Sequence, residues 1–223
     1  MTNNNKQALD INEQLSKSEA FIVKNKNAVI GGVIAIVVLV GGYFLYHNFV
    51  ALPQAEKAST MLAKGDNYFR SNDYEKALNG DGAGFIGYIK IANEYSSTDA
   101  ANIANLQAGL CYAQMGKTKE AIKYLEEFNP AGDAIISPAA IGALGNCYAK
   151  DGQLEKAVST LKEAAKMTDN NSLSPIYLIQ AGEILESQNK KDDAKVLYEE
   201  IRDKYFQSMQ AQDIDKYIER VTK

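Results

Sequence analysis

Ala140 to Ala165 reads AIGALGNCYAKDGQLEKAVSTLKEAA, and the spacing inside it decides the fold. Around Tyr148, Gly145 stands three residues before, Gly152 four after and Ala157 nine after. Apolar Ile141, Leu144, Val158 and Leu161 recur at helical spacing on either side. This reads as two helices meeting at a tight turn. The same spacing recurs around Tyr68 with Gly65, Asn72 and Ala77, around Tyr112 with Gly109, Gly116 and Ala121, and around Leu185 with Gly182, Asn189 and Ala194. Glycine averages about 7% of residues, so four in one column arise by chance roughly a few times in 10^5. The repeat is real, and it makes the chain all-α.

Each column has a physical reason. A glycine three residues before the aromatic lets two antiparallel helices approach where a Cβ would hold them apart, and the Tyr or Leu fills the space beside that contact. Gly or Asn at the third position tolerates the left-handed conformation that closes a helix. Alanine at the fourth is small, favours helix and faces the partner helix. On these residues the chain resembles the tetratricopeptide repeat, a helix-turn-helix unit of about 34 residues. The resemblance covers roughly residues 53 to 206, with centre-to-centre spacings of 44, 36 and 37. It implies an α-solenoid of about four helix pairs. Residues 210 to 222 place Ile214, Tyr217, Ile218 and Val221 on one face, which reads as a C-terminal capping helix.

Ahead of the repeats, Ala28 to Val50 runs AVIGGVIAIVVLVGGYFLYHNFV without one acid, Lys or Arg, long enough to cross a hydrocarbon core of about 30 Å. Tyr43, Phe44, Tyr46 and Phe49 crowd its C-terminal end as aromatics do at a membrane interface, and His47 reads as one more interfacial residue. The apolar run is too long for a signal peptide and no Cys follows it as a lipid attachment point. The expected organisation is an N-terminal tail over residues 1–27, a single transmembrane helix over 28–50, and a repeat domain over 53–223 behind a short Ala51-Leu52 link. Lys17, Lys24 and Lys26 before the span outnumber Lys57 and Lys64 after it, which favours a cytoplasmic N-terminus. Between about Asn12 and Lys24 the tail reads either as a short surface helix or as disordered chain.

The totals exclude several functions. Net charge is −4, and residues 1–27 hold four Lys against three acids, so the remainder carries the acidity; nucleic-acid binders present a basic stripe instead. The one His lies in the apolar span, so no His-based acid, base or metal site can form in the repeats. Glu126-Glu127 and Glu199-Glu200 read as solvated helix faces. Gly80, Gly82 and Gly84 alternate, yet no Gly-Lys-Ser/Thr follows, so they read as an insertion that breaks the second helix of unit one rather than as a phosphate loop. Cys111 and Cys147 precede the Tyr of adjacent units and read as small packing residues. The expectation is a non-catalytic protein with no cofactor, metal, nucleic acid or small-molecule substrate.

What remains is a surface. The tetratricopeptide resemblance implies a concave groove lined by the first helix of each unit. Carried onto this sequence, its positions are Asp66 and Phe69; Ile103, Leu106 and Leu110; Asn146, Ala149 and the bordering Lys150; and Ile176, Ile179, Glu183 and Glu186. Such a groove is expected to be apolar in its middle and acidic towards its C-terminal end, suiting an extended or helical peptide with some positive charge. The layout as a whole, with Gly41-Gly42-Tyr43-Phe44-Leu45-Tyr46 leaving the span, resembles the ancillary subunit family of the bacterial Sec translocon. That resemblance implies an inner-membrane protein with a periplasmic repeat domain that docks beside the translocation channel and a membrane-anchored prolyl isomerase and assists emerging secretory chains. A scaffold subunit of another envelope assembly or secretion complex stays open beside it.

Overall fold

The computed structural model describes residues 19–223, and among them every regular element is helical. The first eighteen residues lie outside the described ones, as does most of the expected surface helix; residues 19–24 are helical and exposed. Two units divide the chain, Met1–Pro53 and Gln54–Lys223.

In the first unit, α1 spans Lys26–Tyr46 with no buried residue, and it is long and apolar enough to cross a membrane. His47–Ala51 then widens into a π-helical turn in which the Leu52 N–H reaches the carbonyl of His47, five residues back. Pro53 accounts for this: it has no N–H to donate and its ring collides with the carbonyl four residues earlier, so the backbone loosens there. Ala51 and Leu52 are therefore helical, where the sequence reading had placed a link.

Helix α2 (Leu52–Arg70) starts two residues before the second unit and is followed there by α3 (Tyr74–Asn79), α4 (Tyr88–Glu94), α5 (Asp99–Gln114), α6 (Thr118–Glu126), α7 (Ile136–Lys150), α8 (Leu154–Thr168), α9 (Ser174–Ser187), α10 (Lys191–Lys204), a 3₁₀ turn (Gln210–Gln212) and α11 (Ile214–Thr222). Successive pairs pack antiparallel, and three apolar clusters run through them. One lies around Ala58, Phe85 and Tyr88, one around Leu125, Leu144 and Tyr148, and one around Leu161, Leu178 and Tyr198. On the last of these α11 buries Ile214 and Val221 and packs Tyr217 and Ile218, closing the end of the stack as expected.

The column residues carry this packing. A Cβ at Gly65, Gly109, Gly145 or Gly182 would lie 2.5, 2.6, 2.8 or 2.4 Å from a side-chain carbon of Tyr88, Leu125, Leu161 or Tyr198, closer than such atoms approach. Ala77, Ala121, Ala157 and Ala194 have no exposed surface. Each pair turns in the same way. Asn72, Gly116, Gly152 and Asn189 hold positive φ, and the next residue donates its N–H to the carbonyl of Tyr68, Tyr112, Tyr148 or Leu185, at 2.9 Å in all four. This is the Schellman closure, which satisfies carbonyls that a helix end would otherwise leave unpaired.

Unit one keeps these contacts across its insertion. Gly80 and Gly87 hold φ of 93° and 88°, and a Cβ at either would strike backbone oxygen, that of Phe85 or Leu78, at 2.4 and 2.3 Å. Asp81 accepts the N–H groups of Ala83 and Phe85 at 2.7 and 2.9 Å and the Tyr68 hydroxyl at 2.8 Å. Those bonds hold its carboxyl at about 2, the Phe85 amide contributing most. The insertion is thus an ordered loop that drives Phe85 and Tyr88 into the core and breaks the second helix, as the sequence reading expected. Cys111 and Cys147 are buried and free, and burial alone pushes the Cys111 thiol up to about 12, which leaves it an inert packing group.

Candidate functional site

The first helices of the four units are α2, α5, α7 and α9, and the side chains assigned to a groove fare differently on each. On α2, Asp66 is taken up by Arg70 at 2.7 Å, and Phe69 is half-buried edge-on to Tyr74 with ring centroids 5.8 Å apart. On α7, Asn146 is half-buried and Lys150 exposed. On α9, Ile179 packs partly against the core and Glu183 is exposed with no ion pair among the described residues.

Glu186 has a structural partner. Arg220 of α11 donates to both of its carboxyl oxygens at 2.6 and 2.8 Å, and the Tyr198 hydroxyl donates to one of them. Burial pushes this carboxyl up and the bonds from Arg220 and Tyr198 pull it down, with the balance downward. The charge of Glu186 is therefore spent on fastening the capping helix, and the acidic end expected of the groove reduces to Glu183.

Leu106 and Leu110 are brought together. With Ile103, Gln107, Ala139 and Ala140 they line a hollow of about 290 Å³ between α5 and the start of α7, which are in contact. The segment that joins units two and three supplies the opposite wall, with Ile135 71% and Ile136 48% exposed. Its backbone is fixed at both ends. The Asn102 side-chain amide exchanges two hydrogen bonds with the backbone of Asn129, at 2.7 and 2.8 Å. Asp133 accepts the N–H groups of Ile135, Ile136 and Ser137 and the Ser137 hydroxyl, and the fully buried Ser137 Oγ accepts the N–H of Ala131. The Ser137 hydroxyl and these amides hold the Asp133 carboxyl at about 2. The sequence signal was present in Asp133-Ala134-Ile135-Ile136-Ser137-Pro138, an Asp placed to cap a helix that opens on two isoleucines.

Residues 19–217 match the family described as a tetratricopeptide repeat-like domain. The chain belongs to that family. No curated protein matches it. An all-helical fold of this kind is typical of non-catalytic protein-binding modules, and a tetratricopeptide-like protein with a span-length apolar helix combines a protein-interaction module with a candidate membrane anchor.

Proposed function

We propose that the chain is a membrane-anchored, non-catalytic protein-binding module acting at the Sec translocon. In this reading residues 1–27 form a cytoplasmic tail, 28–50 cross the inner membrane once, and 53–223 form a periplasmic tetratricopeptide domain. Its groove, over Asp66, Phe69, Leu106, Leu110, Asn146, Lys150, Ile179 and Glu183, with Glu186 at its end held by Arg220, docks the channel, a membrane-anchored prolyl isomerase or secretory clients and assists their transfer.

The observation that carries the reading is the union, in one chain, of four tetratricopeptide-like helix pairs and a helical stretch, Ala28 to Val50, that is apolar, free of charge and of spanning length. The lysine excess before that helix supports the orientation, and the resemblance of the whole layout supports the partner. The deciding experiment is mild detergent extraction of the tagged full chain from its native membranes, with mass spectrometry of what co-purifies in stoichiometric amount. Recovery of the Sec channel or a membrane-bound prolyl isomerase is expected. Recovery of a different envelope complex instead overturns the translocon assignment and moves the chain to a scaffold role. The double substitution Phe69→Ala with Glu183→Lys is expected to weaken capture while the domain stays folded, and undiminished capture by the folded variant removes the groove assignment.

A further inference from the structure

We infer that the hollow between α5 and loop 129–135 seats one uncharged aliphatic side chain of an extended polypeptide, whose backbone N–H pairs with the side-chain amide of Gln107. The inference rests on the groove reading above and names the part of the groove that holds the partner and the chemistry by which it does so.

Three observations carry it. First, the wall is built. Asn102, Asp133 and Ser137 spend five side-chain polar atoms on the backbone of 129–137, and what that fixed backbone presents is two exposed isoleucines facing Ile103, Leu106 and Leu110. Second, no lining residue carries a charge, and both oxygens of Asp133, the carboxylate nearest in sequence, are engaged within the loop. Walls without charge complement an occupant without charge, since burying an unpaired ion there would cost far more than the contact returns. Third, Gln107 lines the hollow, and its Oε1 is buried with no donor among the described residues.

The unpartnered acceptor of Gln107 chooses between kinds of peptide. A helix keeps its N–H groups for its own carbonyls, whereas an extended chain arrives with N–H groups to give. The terminal torsion of glutamine is soft, so a small rotation brings its amide to the hollow. Size agrees: about 290 Å³ lies at the lower edge of small-ligand sites, which run from about 300 to 1,000 Å³, so one or two side chains fit and a helix does not.

The test uses the full chain in lipid nanodiscs with isoleucine δ1-methyls labelled for NMR. The probes are acetylated, amidated Gly-Ser-Asn-X-Asn-Ser-Gly peptides in which X is leucine, aspartate, lysine or N-methyl-leucine. The leucine peptide is expected to shift the Ile103, Ile135 and Ile136 methyls to saturation, equally at low and high salt. The aspartate, lysine and N-methyl-leucine peptides should each bind about tenfold more weakly. Ile135→Ser with Ile136→Ser should abolish saturation at Ile103 while the Ile176 and Ile179 methyls report an intact fold. In Gln107→Leu the difference between leucine and N-methyl-leucine peptides should vanish, a change that loss of packing would not produce. Equal binding of all four peptides, or undiminished binding by the double serine variant, overturns the proposal. So does a response confined to Ile176 and Ile179, which would leave the groove reading standing. The groove reading itself falls by undiminished capture in the folded Phe69→Ala, Glu183→Lys variant, independently of these peptides.

Discussion

Unit one and unit three solve the same packing problem by different means. In unit three α7 and α8 run unbroken, and Gly145 meets Leu161 sixteen positions on; the same interval joins Gly109 to Leu125 and Gly182 to Tyr198. In unit one the interval from Gly65 to Tyr88 is twenty-three, because the second helix stops at Asn79 and resumes at Tyr88. The glycine contact survives the break. What differs is its support: side chains that can shift in unit three, and in unit one a backbone locked by two positive-φ glycines and one aspartate. Equal contacts therefore predict unequal tolerance to substitution.

The largest effect should come from Gly87→Ala. Its Cβ would meet the Leu78 carbonyl at 2.3 Å with φ at 88°, and because the obstacle is backbone, strain and collision together should cost about 3–4 kcal/mol. Gly145→Ala is expected to cost less, about 1–2 kcal/mol, since its Cβ meets the Leu161 side chain at 2.8 Å with the nearest backbone atom farther off at 3.3 Å, and no positive φ adds strain. Urea midpoints of the two full-length variants measure this ordering, and a reversed order would break the comparison.

Acid should separate the units without unfolding the chain. The Asp81 carboxyl in the folded chain titrates at about 2, below its ordinary 3.8, so the stability it lends is present above about pH 4 and is lost as pH falls towards 2. Amide exchange at Ala83 and Phe85 should accelerate over that window while the turn at Gly152 stays protected, and Asp81→Ala should remove the pH dependence. The smallest effect concerns the shared turns. Asn189→Gly should stabilise the chain by about 0.5 kcal/mol, because Asn189 holds φ of 59° against the preference of any residue with a Cβ.

The repeat was legible in the sequence because its columns are one-residue solutions to local constraints. Gly145 and Gly152 are needed where they stand whatever surrounds them, and they recur at fixed offsets. The candidate site was legible only on one side. Leu106 and Leu110 lie on the periodic face of a helix, so spacing finds them. Ile135 ends a loop and Ile136 opens α7 behind it; the shape of that loop depends on Asn102, twenty-seven residues before the backbone it holds at Asn129, and no local period records such a bond. Glu186 misled for a related reason. Its place on α9 is a groove position, but Arg220, thirty-four residues away, claims its charge. Phe85 and Gly87 were hidden likewise, inside an insertion that matched no column.

The seven-residue excess of unit one also describes an excision. Removing residues 80–86 would leave Asn79 joined to Gly87 and bring Tyr88 to sixteen positions after Gly65, the interval kept by every other unit. Units two to four have no comparable slack, since their second helices run unbroken from the turn to Leu125, Leu161 or Tyr198. Length variation in this solenoid thus has one natural seam, between α3 and α4, where a homologue or a designed chain can gain or shed a loop without re-registering the stack.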